Sequence, residues 1–318
     1  MVAMMAAASM CAFADEEEES PALSVWGFGN YGIYSGYQLY GSLVNNEPTA
    51  QGYVEGNVNV MDLGYIGVGL WSNTDLTKRR RDSMLGQAFN EYDPNLHFGR
   101  TFWFDDDKTV GLEWRSTFMW YYYPPKNYKG ASHDHFGNHT ATTWDFDHSF
   151  ALVNPYVIPY INVVREYSNG ANLLQFGLKK PIQINDQLSL VPSLEGIWRE
   201  RQYTWCFPTR FGGLDTNSGF ATIKAELEAN YQITANFGVF AKVAFCSIVD
   251  PDLRDNVDAM DSGEYGAYAK DFVWGGIGVC FNFQWRSVTN LSRGACSTTS
   301  TCLRRNRLTR RRPLRLSP

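Results

Sequence analysis

The stretch Asp271–Trp285, DFVWGGIGVCFNFQW, decides how the rest of the chain is read. Val273, Gly275, Ile277, Val279, Phe281, Phe283 and Trp285 share one parity; Trp274, Gly276, Gly278, Cys280, Asn282 and Gln284 share the other. Side chains alternate across a strand, so one face is apolar and the opposite one small or polar. A long, glycine-rich strand ending in aromatics suits the wall of a membrane barrel. Its outer face meets hydrocarbon and its aromatics sit at the interface.

If this is a closing strand, the remainder must supply its partners. Eleven further segments read as strands: Ser24–Gly41, Thr49–Val60, Leu63–Asn73, Asn90–Phe104, Thr109–Tyr123, Thr142–Val153, Tyr156–Tyr167, Asn172–Ile184, Leu188–Tyr203, Gly219–Thr234 and Phe237–Ile248. The first has a blurred period. The sharpest is Gly219–Thr234, where Ile223, Ala225, Leu227, Ala229, Tyr231 and Ile233 oppose Lys224, Glu226, Glu228, Asn230 and Gln232. Ala, Glu, Leu and Lys favour helix, yet this two-residue period would scatter the apolar groups around one. Arg100 shares a face with Phe98, Phe102 and Phe104, which a place near the rim or a bulge would relieve.

Long connections follow strands one, three, five, nine and eleven, and short ones follow the even-numbered strands; the link after strand seven breaks the rule. An even count with short turns at one end predicts an all-β fold, a transmembrane antiparallel up-and-down β-barrel of about 12 strands. The closing strand should then lie antiparallel to Phe237–Ile248 and zip its other edge to Ser24–Gly41. The long connection Pro251–Gly266 reads as a polar loop.

Composition agrees. Aromatics are 15% of 318 residues, with Gly 28 and Trp 10. No run of about 20 apolar residues follows the N-terminus, so no transmembrane helix is predicted. A mean hydropathy of −0.32 suits a barrel whose lumen and loops are polar. The net charge is −5; the nine arginines of the tail carry +9, leaving the rest at −14.

Residues 1–14 read as a signal peptide, with Ala12-Phe13-Ala14 as the A-x-A cleavage site. It lacks a positive n-region, as a leader whose start lies upstream would. Residues 15–23 form an acidic segment, 24–285 the barrel, and 286–318 a basic tail. That tail reads as a disordered extension or an artefact of the gene end. A nucleic-acid arm is set aside because the chain reads as exported.

A resemblance comes on top of these patterns. Ser35-Gly36-Tyr37 with Tyr40-Gly41, Pro48, Gln51-Gly52, Gly67-Val68-Gly69-Leu70-Trp71-Ser72-Asn73-Thr74-Asp75, Glu91-Tyr92-Asp93 and Trp120-Tyr121-Tyr122-Tyr123-Pro124 resemble the bacterial TorF-type porins. The likeness is good over Tyr31–Pro124 and looser to Trp285. Two positions depart from that family's pattern, Gly36 and Tyr40 standing where an acidic residue and an arginine are expected. The resemblance implies a barrel and a channel, with no substrate and no functional residue.

Candidate chemistry is sparse. His133, His135, His139 and His148 stand near Asp134, Asp145 and Asp147 and have the donor chemistry of zinc or copper sites, against the plainer reading of a polar loop. His148-Ser149 with Asn154 has the residue types of a Ser-His-Asn lipid hydrolase, but neighbouring strand residues point apart. Lys78-Arg79-Arg80-Arg81 reads as a solvated loop. Cys206 and Cys246 fall near loops on one side and are candidates for a disulfide. The inward faces carry Glu55, Glu113, Arg115, Lys179, Glu195, Arg199, Lys224, Glu226, Glu228 and Lys242, a wet or internally paired lumen whose mixed signs argue against strong charge selectivity.

The expected function is a bacterial outer-membrane porin for passive diffusion, with no catalysis, cofactor, metal or nucleic acid. Its partners would be outer-membrane lipids and the barrel-assembly machinery, reading Phe283 and Trp285. A non-conducting barrel whose loops bind a ligand is the second reading, and a lipid-modifying enzyme the third.

Overall fold

The computed structural model describes residues 24–77, 90–122, 142–167, 170–204, 206–209, 215–259 and 268–286. The leader and acidic segment, Lys78–Arg81, the loop with His133, His135 and His139, and the basic tail beyond Arg286 lie outside them.

The wall is a closed antiparallel barrel of twelve strands. In chain order these are β1 (Ser24–Tyr34), β4 (Thr49–Asn59), β5 (Tyr65–Asp75), β6 (Asn90–Trp103), β7 (Gly111–Tyr122), β8 (Thr142–Val153), β9 (Ile158–Glu166), β10 (Ala171–Lys179), β12 (Leu188–Arg199), β13 (Gly219–Thr234), β14 (Phe237–Ile248) and β15 (Asp271–Arg286). The remaining labels belong to a small hairpin, β2 (Tyr37–Leu39) and β3 (Ser42–Asn45), and to the two-residue β11 (Ile182–Gln183). Strand β15 runs antiparallel to β14 and closes onto β1, from Ser24↔Arg286 to Tyr34↔Gly276.

The outer surface is apolar at mid-height, where Val54, Val68, Leu96, Ile161, Leu194 and Ile277 are exposed. Exposed aromatics flank it: Trp103, Phe104, Tyr156 and Phe283 at the short-turn end, Trp120, Trp144, Tyr167 and Phe220 at the other. From Leu112 to Trp120 strand β7 climbs about 26 Å, or about 20 Å along the axis at the usual ~40° tilt. An apolar belt of that height between aromatic girdles is suited to hydrocarbon rather than water. Arg100 faces outward close to the short-turn end, its guanidinium 4.9 Å from the Phe102 ring centroid. The rim position relieves the charge, as its flanking aromatics required.

Three sequence expectations are corrected. The first wall strand stops at Tyr34, not Gly41; Tyr37–Asn45 folds into the separate β2–β3 hairpin. Asn172–Ile184 is broken after Lys179, because Pro181 has no N–H to extend the ladder. Pro251–Gly266 is not all loop. Helix α1 (Pro251–Ala259) starts there, with Asp250 Oδ1 accepting the Leu253 N–H at 3.1 Å as its cap and Pro251 in the first turn.

Candidate functional site

The lumen is built in layers. At mid-height on one wall, Arg115 Nη2 lies 2.9 Å from Glu55 Oε2. Tyr53 donates its hydroxyl to the same oxygen at 2.6 Å and accepts from Arg115 at 3.0 Å. Asn57 Nδ2 donates to Glu55 Oε1 at 2.8 Å, and the His97 ring bridges Asn57 (2.7 Å) and Asn95 (2.9 Å). Space for this network comes from β5. A Cβ on Gly67 would sit 2.2 Å from Asn57 Oδ1 and 2.4 Å from His97 Nε2.

Across the lumen a second network gathers on β9, β10, β12, β13 and β14. Lys224 Nζ is 3.2 Å from Glu195 and 3.8 Å from Glu226, while Tyr160 and Gln175 also donate to Glu195. Lys242 Nζ lies 2.9 Å from Glu228. Buried charges are tolerated when paired and hydrogen-bonded, and these are.

Towards the long-loop end the lumen turns aromatic, and here the β2–β3 hairpin enters. Its two-residue loop, Tyr40-Gly41, has φ of 51° and 74°, the doubly left-handed turn that matches strand twist and favours glycine at its second position. A Cβ on Gly41 would also be 2.7 Å from Thr222 Oγ1. Tyr37 donates to Glu91 on β6 at 3.0 Å, and Thr222 on β13 donates to the Tyr40 carbonyl at 2.6 Å. Strands β6 and β13 stand six places apart in the ring of twelve, so the hairpin spans the lumen from wall to wall. Trp274 Nε1 on β15 fixes its root by donating to the Gly36 carbonyl at 2.8 Å. Tyr203 and Phe207 pack in from the long loop between β12 and β13, with Tyr40 and Tyr203 ring centroids 6.1 Å apart, and Leu253 of α1 is fully buried in the same cluster. Burial raises the Tyr37, Tyr40 and Tyr203 hydroxyls well above their ordinary range, and Tyr37 is the neutral donor to Glu91.

Beneath the hairpin lies a cavity of about 60 Å³ that opens to solvent. Tyr37, Tyr40, Trp71, Tyr121, Asp93 and Asp147 are in its lining, with Glu226 and Lys242 on the far side.

All ten inward charges lie on the lumen side by parity, and eight of them, Glu55, Arg115, Glu195, Arg199, Lys224, Glu226, Glu228 and Lys242, have buried or largely buried side chains. His148 and Ser149 are split, as alternation demands. His148 faces outward and pairs with Ser116 Oγ at 2.8 Å, whereas Ser149 turns inward and donates to Asn162 at 3.0 Å. Asn154 is occupied in its own turn. Cys206 and Cys246 are buried free thiols, so the disulfide expectation fails. Asp145 and Asp147, first noted as company for the histidines, instead face the lumen; among the described residues no group of three or more His, Cys, Asp or Glu could hold a metal. The Phe283 ring lies over Gly27 of β1 and the Phe281 ring over Gly29, where an added Cβ would come within 2.5 and 2.4 Å of them.

The hairpin is the element that sequence reading missed. Its signal was Tyr40-Gly41, a left-handed glycine inside a supposedly continuous strand.

No family model matches the chain, and no curated protein matches it. Solved structures similar to it are outer-membrane barrels. One is a KdgM porin in complex with disordered oligogalacturonate (8% identity, 81% of this chain and 99% of that one, TM-score 0.41). Others are the COG4313 outer membrane channel from Pseudomonas putida F1 (12%, 84% and 97%, 0.46) and outer membrane phospholipase A from Escherichia coli (14%, 80% and 92%, 0.41). Likeness at this level concerns barrel architecture and leaves the content of this lumen to its own residues.

Proposed function

We propose that the chain is a bacterial outer-membrane porin, a channel for passive diffusion of small solutes. One observation carries this: a closed barrel with an apolar outside between aromatic girdles and a lumen lined by charged and amide side chains. A surface of that kind belongs in lipid, and a lumen of that kind admits water. The TorF-type resemblance of Tyr31–Pro124 supports the same reading. No chemistry is assigned to the barrel, since His148 and Ser149 face opposite ways. Purified protein in planar bilayers should give discrete conductance steps; silence at every voltage refutes the channel.

We further propose a leader cleaved after Ala14, a barrel that ends with β15, and recognition of Phe283 and Trp285 by the barrel-assembly machinery. Intact mass spectrometry of the mature protein tests both ends of the chain.

A second reading has its own observation. The hairpin and the Tyr203–Phe207 turn fill the long-loop end of the lumen, which favours a closed barrel that binds rather than conducts. Conductance of the intact chain separates the two.

A further inference from the structure

The charges in the lumen do not cancel. Arg115, Lys224 and Lys242 are each engaged by a carboxylate on their own part of the wall. That leaves Asp93 on β6 and Asp145 and Asp147 on β8, all at least nine-tenths buried, with no ion pair to Lys or Arg among the described residues. The Oδ1 atom of each is buried and accepts no hydrogen bond among the described residues, although Asp145 Oδ2 accepts from Tyr121 at 3.0 Å. Two of these residues, Asp93 and Asp147, line the cavity beneath the hairpin, and so do the aromatic rings of Tyr37, Tyr40, Trp71 and Tyr121. The single ammonium in that lining, Lys242, is held by Glu228, while Glu226 adds a third carboxylate. Mixed signs along the inward faces argued against charge preference, but the ammonium that faces this cavity is already paired, and carboxylates without a base gather there.

We propose that this cavity is a binding site for small organic cations, ammonium compounds carrying a short carbon chain. Stranded buried carboxylates call for a counter-charge, and ring faces beside them attract a cation and cover its carbon skeleton. A metal ion has no carbon skeleton for the rings to cover. As a station on a diffusion path the site rests on the channel reading; as a binding site it does not.

The test uses the full chain purified in detergent, with tryptophan fluorescence as the readout, since Trp71 and Trp274 line the cavity. Three probes share a four-carbon length: putrescine, 1,4-butanediol and succinate. Putrescine should bind saturably, the diol and the dianion should neither bind nor compete, and Asp93→Asn/Asp147→Asn should weaken putrescine at least tenfold. A heat-modifiable gel shift shows whether that variant folds, and the three-probe comparison on the unaltered chain stands without it. Butanediol or succinate binding as well as putrescine, no saturable putrescine binding, or a folded variant that binds unchanged overturns the site. Liposome swelling with a neutral sugar reads the channel separately. Swelling without putrescine binding removes the site and keeps the channel; binding without swelling does the reverse.

Discussion

Replacing Arg115 by methionine would strand the Glu55 carboxylate inside the barrel wall. The two side chains are 5% and 0% exposed, and their 2.9 Å contact is reinforced by Tyr53 and Asn57. Breaking a buried pair on one side costs about 3–5 kcal/mol, because the desolvated charge left behind has lost its partner. Glu55→Gln should cost about 3 kcal/mol for the matching reason. Independent losses would add to about 6–8 kcal/mol. The double variant Arg115→Met/Glu55→Gln should instead lose only about 2–3 kcal/mol, since neither charge is left alone and the new amide still accepts from Tyr53. Urea unfolding in lipid vesicles, followed by tryptophan fluorescence, measures all three. Additivity within about 0.5 kcal/mol, or a loss under about 1 kcal/mol for Arg115→Met alone, would show that water already solvates this pair and that the lumen is wetter than the contacts imply.

Three further outcomes are expected. Replacing Tyr37–Asn45 by a glycine-serine linker of equal length should raise single-channel conductance severalfold, and an unchanged conductance would mean that the hairpin does not obstruct the path. Phe281→Ala/Phe283→Ala should slow membrane assembly, read as the rate at which the heat-modifiable band appears, because Gly27 and Gly29 would lose the rings that cover them. Asp105, at the short turn between β6 and β7, is held below its ordinary carboxylate range first by the Thr109 hydroxyl and then by the Val110 amide. A folded-state value below the unfolded one stabilises above the unfolded pKa and is lost as pH falls through the folded one. Asp105→Asn should therefore lower the urea midpoint at pH 7, with the difference closing in strong acid; a gap that widens there contradicts the turn geometry.

Where side chains alternated between lipid and lumen, local sequence carried the wall. Gly219–Thr234, Phe237–Ile248 and Thr142–Val153 have the limits their alternation set, and β15 exceeds its reading by Arg286 alone. The period fails where the environment is no longer two-sided. Tyr37–Asn45 is strand-like in composition but lies wholly within the lumen, so nothing in its pattern separates it from β1 except the left-handed glycine. Helix α1 is polar enough to pass for loop, with a mean that hides Leu253 and Val257 packing inward; its Asp250-Pro251 start was the available sign. Inward charges were legible as a class, yet their pairing was not. Glu195 meets Lys224 because the β12–β13 register sets them opposite one another, and Glu55 on β4 meets Arg115 on β7 three strands away, neither of which alternation alone reveals. The surplus carboxylates were invisible for the same reason, since excess is a property of the whole lumen.

The seam between β1 and β15 has a kinetic consequence. Its rungs join residues some 240 to 260 positions apart, from Tyr34↔Gly276 to Ser24↔Arg286, the largest separations among the barrel's pairings. Loop-closure entropy makes such contacts the slowest to nucleate, so hairpins such as β13–β14 should form long before the ring closes. Until then β1 and β15 are two unpaired edges open to another chain. At Gly27↔Phe283, Gly29↔Phe281, Gly32↔Gly278 and Tyr34↔Gly276 at least one partner has no side chain. The final zippering therefore meets little steric resistance, and the time spent as an open, aggregation-prone sheet is set by the search for the first rung rather than by the fit of the rest.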